Sequence, residues 1–207
     1  MSPIKIIDEC IDRYANLSSY QDKGIVCTRN SNKSEPAPYQ ITFSTLFAKP
    51  NLFRFEYMCP HPYPQLKHIY TRYVCGFDGE RAYTLRQRHE EQAIIEIEES
   101  LSYAVARSIG TSCSSIYNIA KLLFPNINGP SLSDLSDVKL VGEEEFERLA
   151  CYVITGVNPK HELTSVLVSK SDFAIFRFLS VKSDYQDEEL RTQISLNKEI
   201  NRDSFLF

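Results

Sequence analysis

The sequence predicts an α+β fold: one curved antiparallel sheet of about ten strands, an open half-barrel, with an N-terminal helix and a central helical plug or lid. Three observations point there. Apolar and polar residues alternate through much of residues 19–88 and again after residue 136, the period of half-buried strands. Helical spacing appears only over residues 4–17 and 98–124. The chain carries 12 Phe and 12 Tyr but no Trp, and such rings suit strands and broad apolar contacts. Its 207 residues fit one β-rich domain spanning 1–207.

Residues 1–18 form the opening helix. Ile4, Ile7, Ile11 and Tyr14 recur at helical spacing with Cys10 and Leu17, while Lys5, Asp8, Glu9, Asp12 and Arg13 fill the other side. Residues 19–88 form the first strand set. A strand over 19–30 leads into the polar loop 31–38, rich in turn formers. Tyr39, Ile41, Phe43, Thr45 and Phe47 then share a face, and after Pro50 the residues Phe53, Phe55, Tyr57 and Cys59 alternate against Arg54 and Glu56. A proline-rich loop follows, and Ile69, Thr71, Tyr73, Cys75 and Phe77 restart the alternation. Asp78-Gly79 signals a hairpin returning over 82–87, which makes the set a meander.

Residues 98–124 hold the lid helices. Leu101, Ala104, Val105 and Ser108 line one side of the first, which Gly110 stops. Ser114 or Ser115 caps the second, whose stripe is Ile116, Ile119, Ala120 and Leu123, and Pro125 and Asn128-Gly129-Pro130 end it. The acidic stretch 90–99 has no clear period. Residues 136–207 form the second strand set, over 138–141, 149–157, 163–169, 173–181 and 190–197, with Ser171-Asp172 as a turn and 204–207 as a short closing strand.

Composition narrows the function. The net charge of −4 gives no basic excess for nucleic acid or an anionic membrane surface. No apolar run reaches 18 residues, so no transmembrane helix is expected. Met1-Ser2-Pro3-Ile4-Lys5 carries no apolar stretch of a secretory leader, which reads as a cytoplasmic protein or one whose leader has been trimmed. The six cysteines are scattered without a C-x-x-C pair and read as mostly buried thiols. His61, His68, His89 and His161 form no H-E-x-x-H, and the chain has no G-x-S-x-G, P-loop or G-x-G-x-x-G. No metal, cofactor or catalysis is expected. Ser114-Ser115 reads as a helix cap, and the acidic runs as solvated faces.

Several segments resemble a known family. Phe47-Ala48-Lys49-Pro50-Asn51-Leu52-Phe53-Arg54-Phe55-Glu56-Tyr57 resembles the [KR]-P-N-x-F-x-[WF] strand pair of the bacterial lipoprotein carriers LolA and LolB. Phe77-Asp78-Gly79-Glu80-Arg81-Ala82-Tyr83 resembles their next hairpin, and the ending from Ile200 to Phe207 their terminal strand. The run from Ala104 to Ser112, with Cys151-Tyr152-Val153-Ile154 and the ending, is more similar to a group of predicted periplasmic proteins of unknown function that share the fold. The resemblance implies a non-catalytic, periplasmic carrier or binding protein for a lipid, an acyl chain or a lipoprotein, held between sheet and helices. It also implies a lid latch at the basic residue before the proline, here Lys49, where arginine is usual.

The expected apolar lining is Tyr39, Ile41, Phe43, Phe47, Phe53, Phe55, Tyr57, Ile69 and Tyr73 from the strands, with Leu101, Ile116, Ile119 and Leu123 from the helices. Lys49 and Arg54 are expected at the rim, beside a polar head. The same side chains would alternatively pack as core. The protein would then be an interaction or scaffold module with a protein partner, supported by the acidic segments and the proline-rich loop at 60–64.

Overall fold

The computed structural model describes residues 1–30, 39–61, 63–66 and 68–206. The predicted loop over 31–38 lies outside the described residues, as do parts of the proline-rich loop and the final residue. The chain opens with α1 (Pro3–Ala15), capped by the Ser2 hydroxyl, which accepts from the Lys5 amide. Proline in its first turn adds no lost hydrogen bond, because that turn's amides have no helical partner.

Six strands follow: β1 (Ser19–Asn30), β2 (Tyr39–Ala48), β3 (Leu52–Pro60), β4 (Tyr70–Phe77), β5 (Ala82–Arg88) and β6 (Ile94–Glu98). Two helices, α2 (Leu101–Ser108) and α3 (Ser115–Leu123), precede β7 (Ser136–Phe146), β8 (Leu149–Val157), β9 (Leu163–Ser169), β10 (Ile175–Val181) and β11 (Tyr185–Leu196). All eleven strands join one sheet in the order β6-β5-β4-β3-β2-β1-β11-β10-β9-β8-β7, and every pair is antiparallel.

This order fixes the path of the helices. The chain starts at the centre of the sheet, meanders to the β6 edge, and resumes at the opposite β7 edge. The segment holding α2 and α3 therefore crosses from one edge to the other, and β11 returns to pair with β1. The two edges do not meet, so the sheet is open.

Four expectations are corrected. The acidic stretch contains an eleventh strand, β6, and Glu98, expected to start a helix, is its last residue. The strand expected over 138–141 extends through the glutamate run, with register shifts either side of Lys139 and Leu140. The Ser114 hydroxyl caps nothing: Ser114 sits at φ +68° and its side chain makes no cap bond. The closing strand is instead a 3-10 turn, Arg202–Phe205, because its carbonyls are taken by side chains of the sheet.

Alternation puts Ile41, Phe43 and Phe47 of β2 and Phe53, Phe55 and Tyr57 of β3 on the helix-covered face, all of them buried. With Ile6, Cys10 and Tyr14 of α1, Ala104 and Val105 of α2, and Ile116, Ile119 and Leu123 of α3 they form one core. Phe43 stacks on Phe55 at 5.2 Å, and Phe47 and Phe53 meet Phe124 edge-on at 5.2 and 5.6 Å. Each such ring contributes about 1.5–3 kcal/mol by leaving water.

Under α3 the core becomes ionic. Arg191 of β11 is fully buried, donates to Asp22 of β1 at 2.5 Å and to the Ser115 carbonyl at 3.0 Å, and is paired with Glu189. Tyr20 donates to Asp22 at 2.6 Å, and Asn118 of α3 donates to Glu189 at 2.7 Å. The guanidinium lies 4.8 Å from the centre of the Phe43 ring. Gly24, opposite both Arg191 and Phe43 in register, permits this approach, since a Cβ there would collide with the Phe43 ring.

Candidate functional site

Among the described residues, three openings lie around the link between α2 and α3. One, of about 190 Å³, lies between α3 and strands β9–β11, with Val26, Leu122, Leu132, Leu135 and Phe178 among its apolar walls. Glu189, Asp187 and Lys182 supply polar wall, and Lys182 donates to Asp187 at 2.9 Å. The other two, of about 430 and 300 Å³, lie over the far ends of β4–β6 and share Tyr73, Arg86, Ile94 and Thr111.

Residues 109–114 form the bridge between these spaces. Cys113 walls both the 190 and the 430 Å³ openings. Cys113 and Ser114 stand at φ +50° and +68°, in the left-handed region that costs L-residues about 1–2 kcal/mol each. Polar contacts hold the bridge down: the Tyr57 and Thr111 hydroxyls meet at 2.7 Å, and the Cys59 thiol donates to the Thr111 carbonyl at 3.4 Å.

Burial pushes the thiols of Cys10 and Cys75 up to about 12 and that of Cys59 to about 11, so they stay protonated and unreactive near neutral pH. All six cysteines are free. Burial also raises Glu189, although Arg191 and Asn118 favour its ionised form. Among the described residues no group of three or more His, Cys, Asp or Glu is placed to hold a metal ion, and no helix is long and apolar enough to cross a membrane.

Of the side chains expected to line a ligand space, Tyr39, Tyr57 and Tyr73 wall these openings. Ile41, Phe43, Phe47, Phe53, Phe55, Ile116, Ile119 and Leu123 are packed core instead, because facing rings and the α3 stripe fill the space between them. Ile69, just ahead of β4, and Leu101, opening α2, are half-buried and belong to none of the three walls.

Neither expected rim residue is at a rim. Arg54 lies opposite Phe53 and Phe55 on the other face of the sheet. There it donates to the Leu206 carbonyl at 2.7 Å and to Glu56 at 2.9 Å. Lys49 is exposed in the β2–β3 turn, where its amide donates to the Ser18 carbonyl at 2.8 Å. The side chain that does tie α3 to the sheet is Arg191, which the sequence reading missed. Its signal is the i, i+2 spacing of Tyr20 with Asp22 and of Glu189 with Arg191, which puts each pair on one face of a strand.

No protein-family model matches the sequence, and no curated protein does. Solved structures do. LprF from Mycobacterium bovis aligns over 96% of this chain and 94% of its own at 8% identity, with a TM-score of 0.56. The lipoprotein LppX from Mycobacterium tuberculosis aligns over 97% and 98% at 13% identity, with a TM-score of 0.51. A LolA superfamily protein from Nitrosomonas europaea aligns over 100% and 98% at 10% identity, with a TM-score of 0.40. The fold is the one seen in LprF and LppX. In this chain it comprises the open antiparallel sheet, the N-terminal helix and two further helices. At these identities the likeness establishes the fold and leaves ligand and activity to the site itself.

Proposed function

We propose that this chain is a non-catalytic carrier or binding protein for an apolar-tailed, amphipathic ligand (a lipid, an acyl chain or a lipoprotein) taken up beneath the α2–α3 unit. The observation that carries the reading is the undercut bridge at 109–114, with open space on both sides and strained backbone at Cys113 and Ser114. The 190 Å³ space is smaller than the roughly 300–1,000 Å³ of ordinary ligand pockets. On this reading a ligand tail enters the space under α3 only when α2 and α3 move off the aromatic face.

The energetics suit release as well as capture. Burying a dozen methylenes contributes on the order of 10 kcal/mol. Lifting α3 exposes Ile116, Ile119, Leu122 and Leu123, each worth about 1.5–3 kcal/mol. Gain and cost are of the same order, which leaves a moderate affinity. A periplasmic setting belongs to the same proposal, carried by the resemblance.

Organic extraction of detergent-free protein followed by mass spectrometry tests the reading. Lipid or fatty acid at near one per chain supports it. A clean extract, with no uptake of added dodecanoate, overturns it. The filled aromatic core favours a second reading, an interaction module with a protein partner, and that second result would leave it standing.

A further inference from the structure

The helix-covered face changes character along β5. Ala82, Thr84, Arg86 and Arg88 alternate onto it; Ala82 is buried in the core, whereas Arg86 and Arg88 are exposed. Arg86 stands in register between Tyr73 of β4 and Ile94 of β6, and Arg88 lies opposite Thr71. Both arginines wall the 430 Å³ opening, and Arg86 also walls the 300 Å³ one.

Their charges are unspent. Among the described residues neither Arg86 nor Arg88 makes an ion pair, while Arg107, at the smaller opening, is met by Glu96 at 2.7 Å and Glu98 at 2.8 Å. Glu91 is the one carboxylate in the described wall of the larger opening. The mouth is thus locally basic in a chain whose net charge is −4. From it an aromatic row runs into the core: Tyr73 to Tyr57 at 5.0 Å, Tyr57 to Phe55 at 5.8 Å, and Phe55 to Phe43 at 5.2 Å.

We infer that Arg86 and Arg88 receive the anionic oxygens of a phosphate-type headgroup, while the ligand's apolar chain follows the aromatic row beneath the α2–α3 bridge. The inference rests on the carrier reading and adds the sign and chemistry of the head. Guanidinium forks match oxyanions in a geometry that ammonium or hydroxyl heads do not satisfy, and the hydroxyls of Tyr73 and Thr71 stand beside them as further donors. The apolar row gives the tail a continuous lining once the bridge lifts.

The test is isothermal titration of wild type, R86Q/R88Q and R86K/R88K with dodecyl phosphate, dodecyltrimethylammonium and inorganic phosphate. Both side chains are exposed, so the variants are expected to keep the wild-type melting temperature. Wild type should prefer dodecyl phosphate over the ammonium probe by about tenfold or more at low salt, a preference that narrows as salt rises. R86Q/R88Q should lose most of that preference without weakening the ammonium probe, and R86K/R88K should fall between. Equal binding of both amphiphiles, or undiminished dodecyl phosphate binding by R86Q/R88Q, overturns the headgroup assignment and leaves the carrier reading intact. Inorganic phosphate binding as tightly as dodecyl phosphate assigns the arginines to a free anion and overturns the lipid source. Binding of neither amphiphile overturns the carrier reading together with the inference.

Discussion

Replacing Arg191 by Met should cost about 3–5 kcal/mol, because it leaves two buried carboxylates without their cation. In the native protein the guanidinium is fully buried, as is the side chain of Asp22, and Glu189 is nearly so. Methionine keeps much of the volume and the contact with Phe43 but supplies neither charge nor donors. The Ser115 carbonyl also loses its donor, so the deficit should be felt in α3. For a chain of this length the loss corresponds to a fall of roughly 6–20 °C in Tm. The sign with pH follows from Glu189, which burial already raises above 4.5 in the folded state. Between the unfolded and folded values the folded form holds the extra proton, so stability falls as pH rises through that window. Without Arg191 the Glu189 carboxyl loses the cation that lowers it and moves further up, so the deficit of R191M should shrink as pH is lowered from 8 toward 4.5. Urea denaturation at several pH values measures this. The triple variant D22N/E189Q/R191M removes the charges together and should be less damaged than R191M alone. A loss under about 1 kcal/mol for R191M, or a triple variant as unstable as the single, would refute the reasoning.

Three further outcomes follow from the packing. Gly24→Ala should destabilise by about 3 kcal/mol in thermal melts, since its methyl collides with the Phe43 ring and the backbone oxygen of Leu190, which cannot both yield. Burial pushes the Glu56 carboxyl up, but hydrogen bonds from Arg72 at 2.7 Å and Arg54 at 2.9 Å outweigh it and hold the group below its usual 4.5. Its contribution is therefore complete above 4.5 and lost as pH falls through the folded value, and in an acid melt series Glu56→Gln should flatten that fall while costing about 1–2 kcal/mol at pH 7. Tyr83→Phe removes a buried donor to the Phe205 carbonyl at 2.9 Å, so it should cost about 1 kcal/mol and speed proteolysis of the last residues.

Alternation made β1–β3 legible, because they bury one face and leave the other mostly polar or half-exposed, whereas β4, β5 and β8–β10 were legible as apolar strand-forming runs that bury residues on both faces. It failed where both faces meet water. In β6, Ile94, Ile95 and Ile97 are all more than 40% exposed at a sheet edge, so no period separates them from the surrounding glutamates. In β7 two register shifts break the period, and the exposed run Glu143–Glu145 reads as a solvated face, which it is, although its backbone is a strand. The site was less legible for a different reason. Chain pattern identifies which residues share a face, but whether rings on that face line a space or fill it depends on how closely α3 approaches. The Arg191 network spans 169 residues between β1 and β11, a pairing that no local pattern encodes. Arg54 carries the opposite lesson: its alternation with Phe53 and Phe55 already put it on the far face, and only the family resemblance placed it at a rim.

The absence of tryptophan allows the central claim, an apolar chain bound beneath α3, to be tested with a single introduced probe. Phe178 walls the space under α3, and Tyr63 is 61% exposed in the loop before β4. Brominated dodecanoate should quench Phe178→Trp emission saturably at near one ligand per chain and leave Tyr63→Trp unaffected. Equal quenching of both probes, or none of the Phe178→Trp signal, would contradict the account.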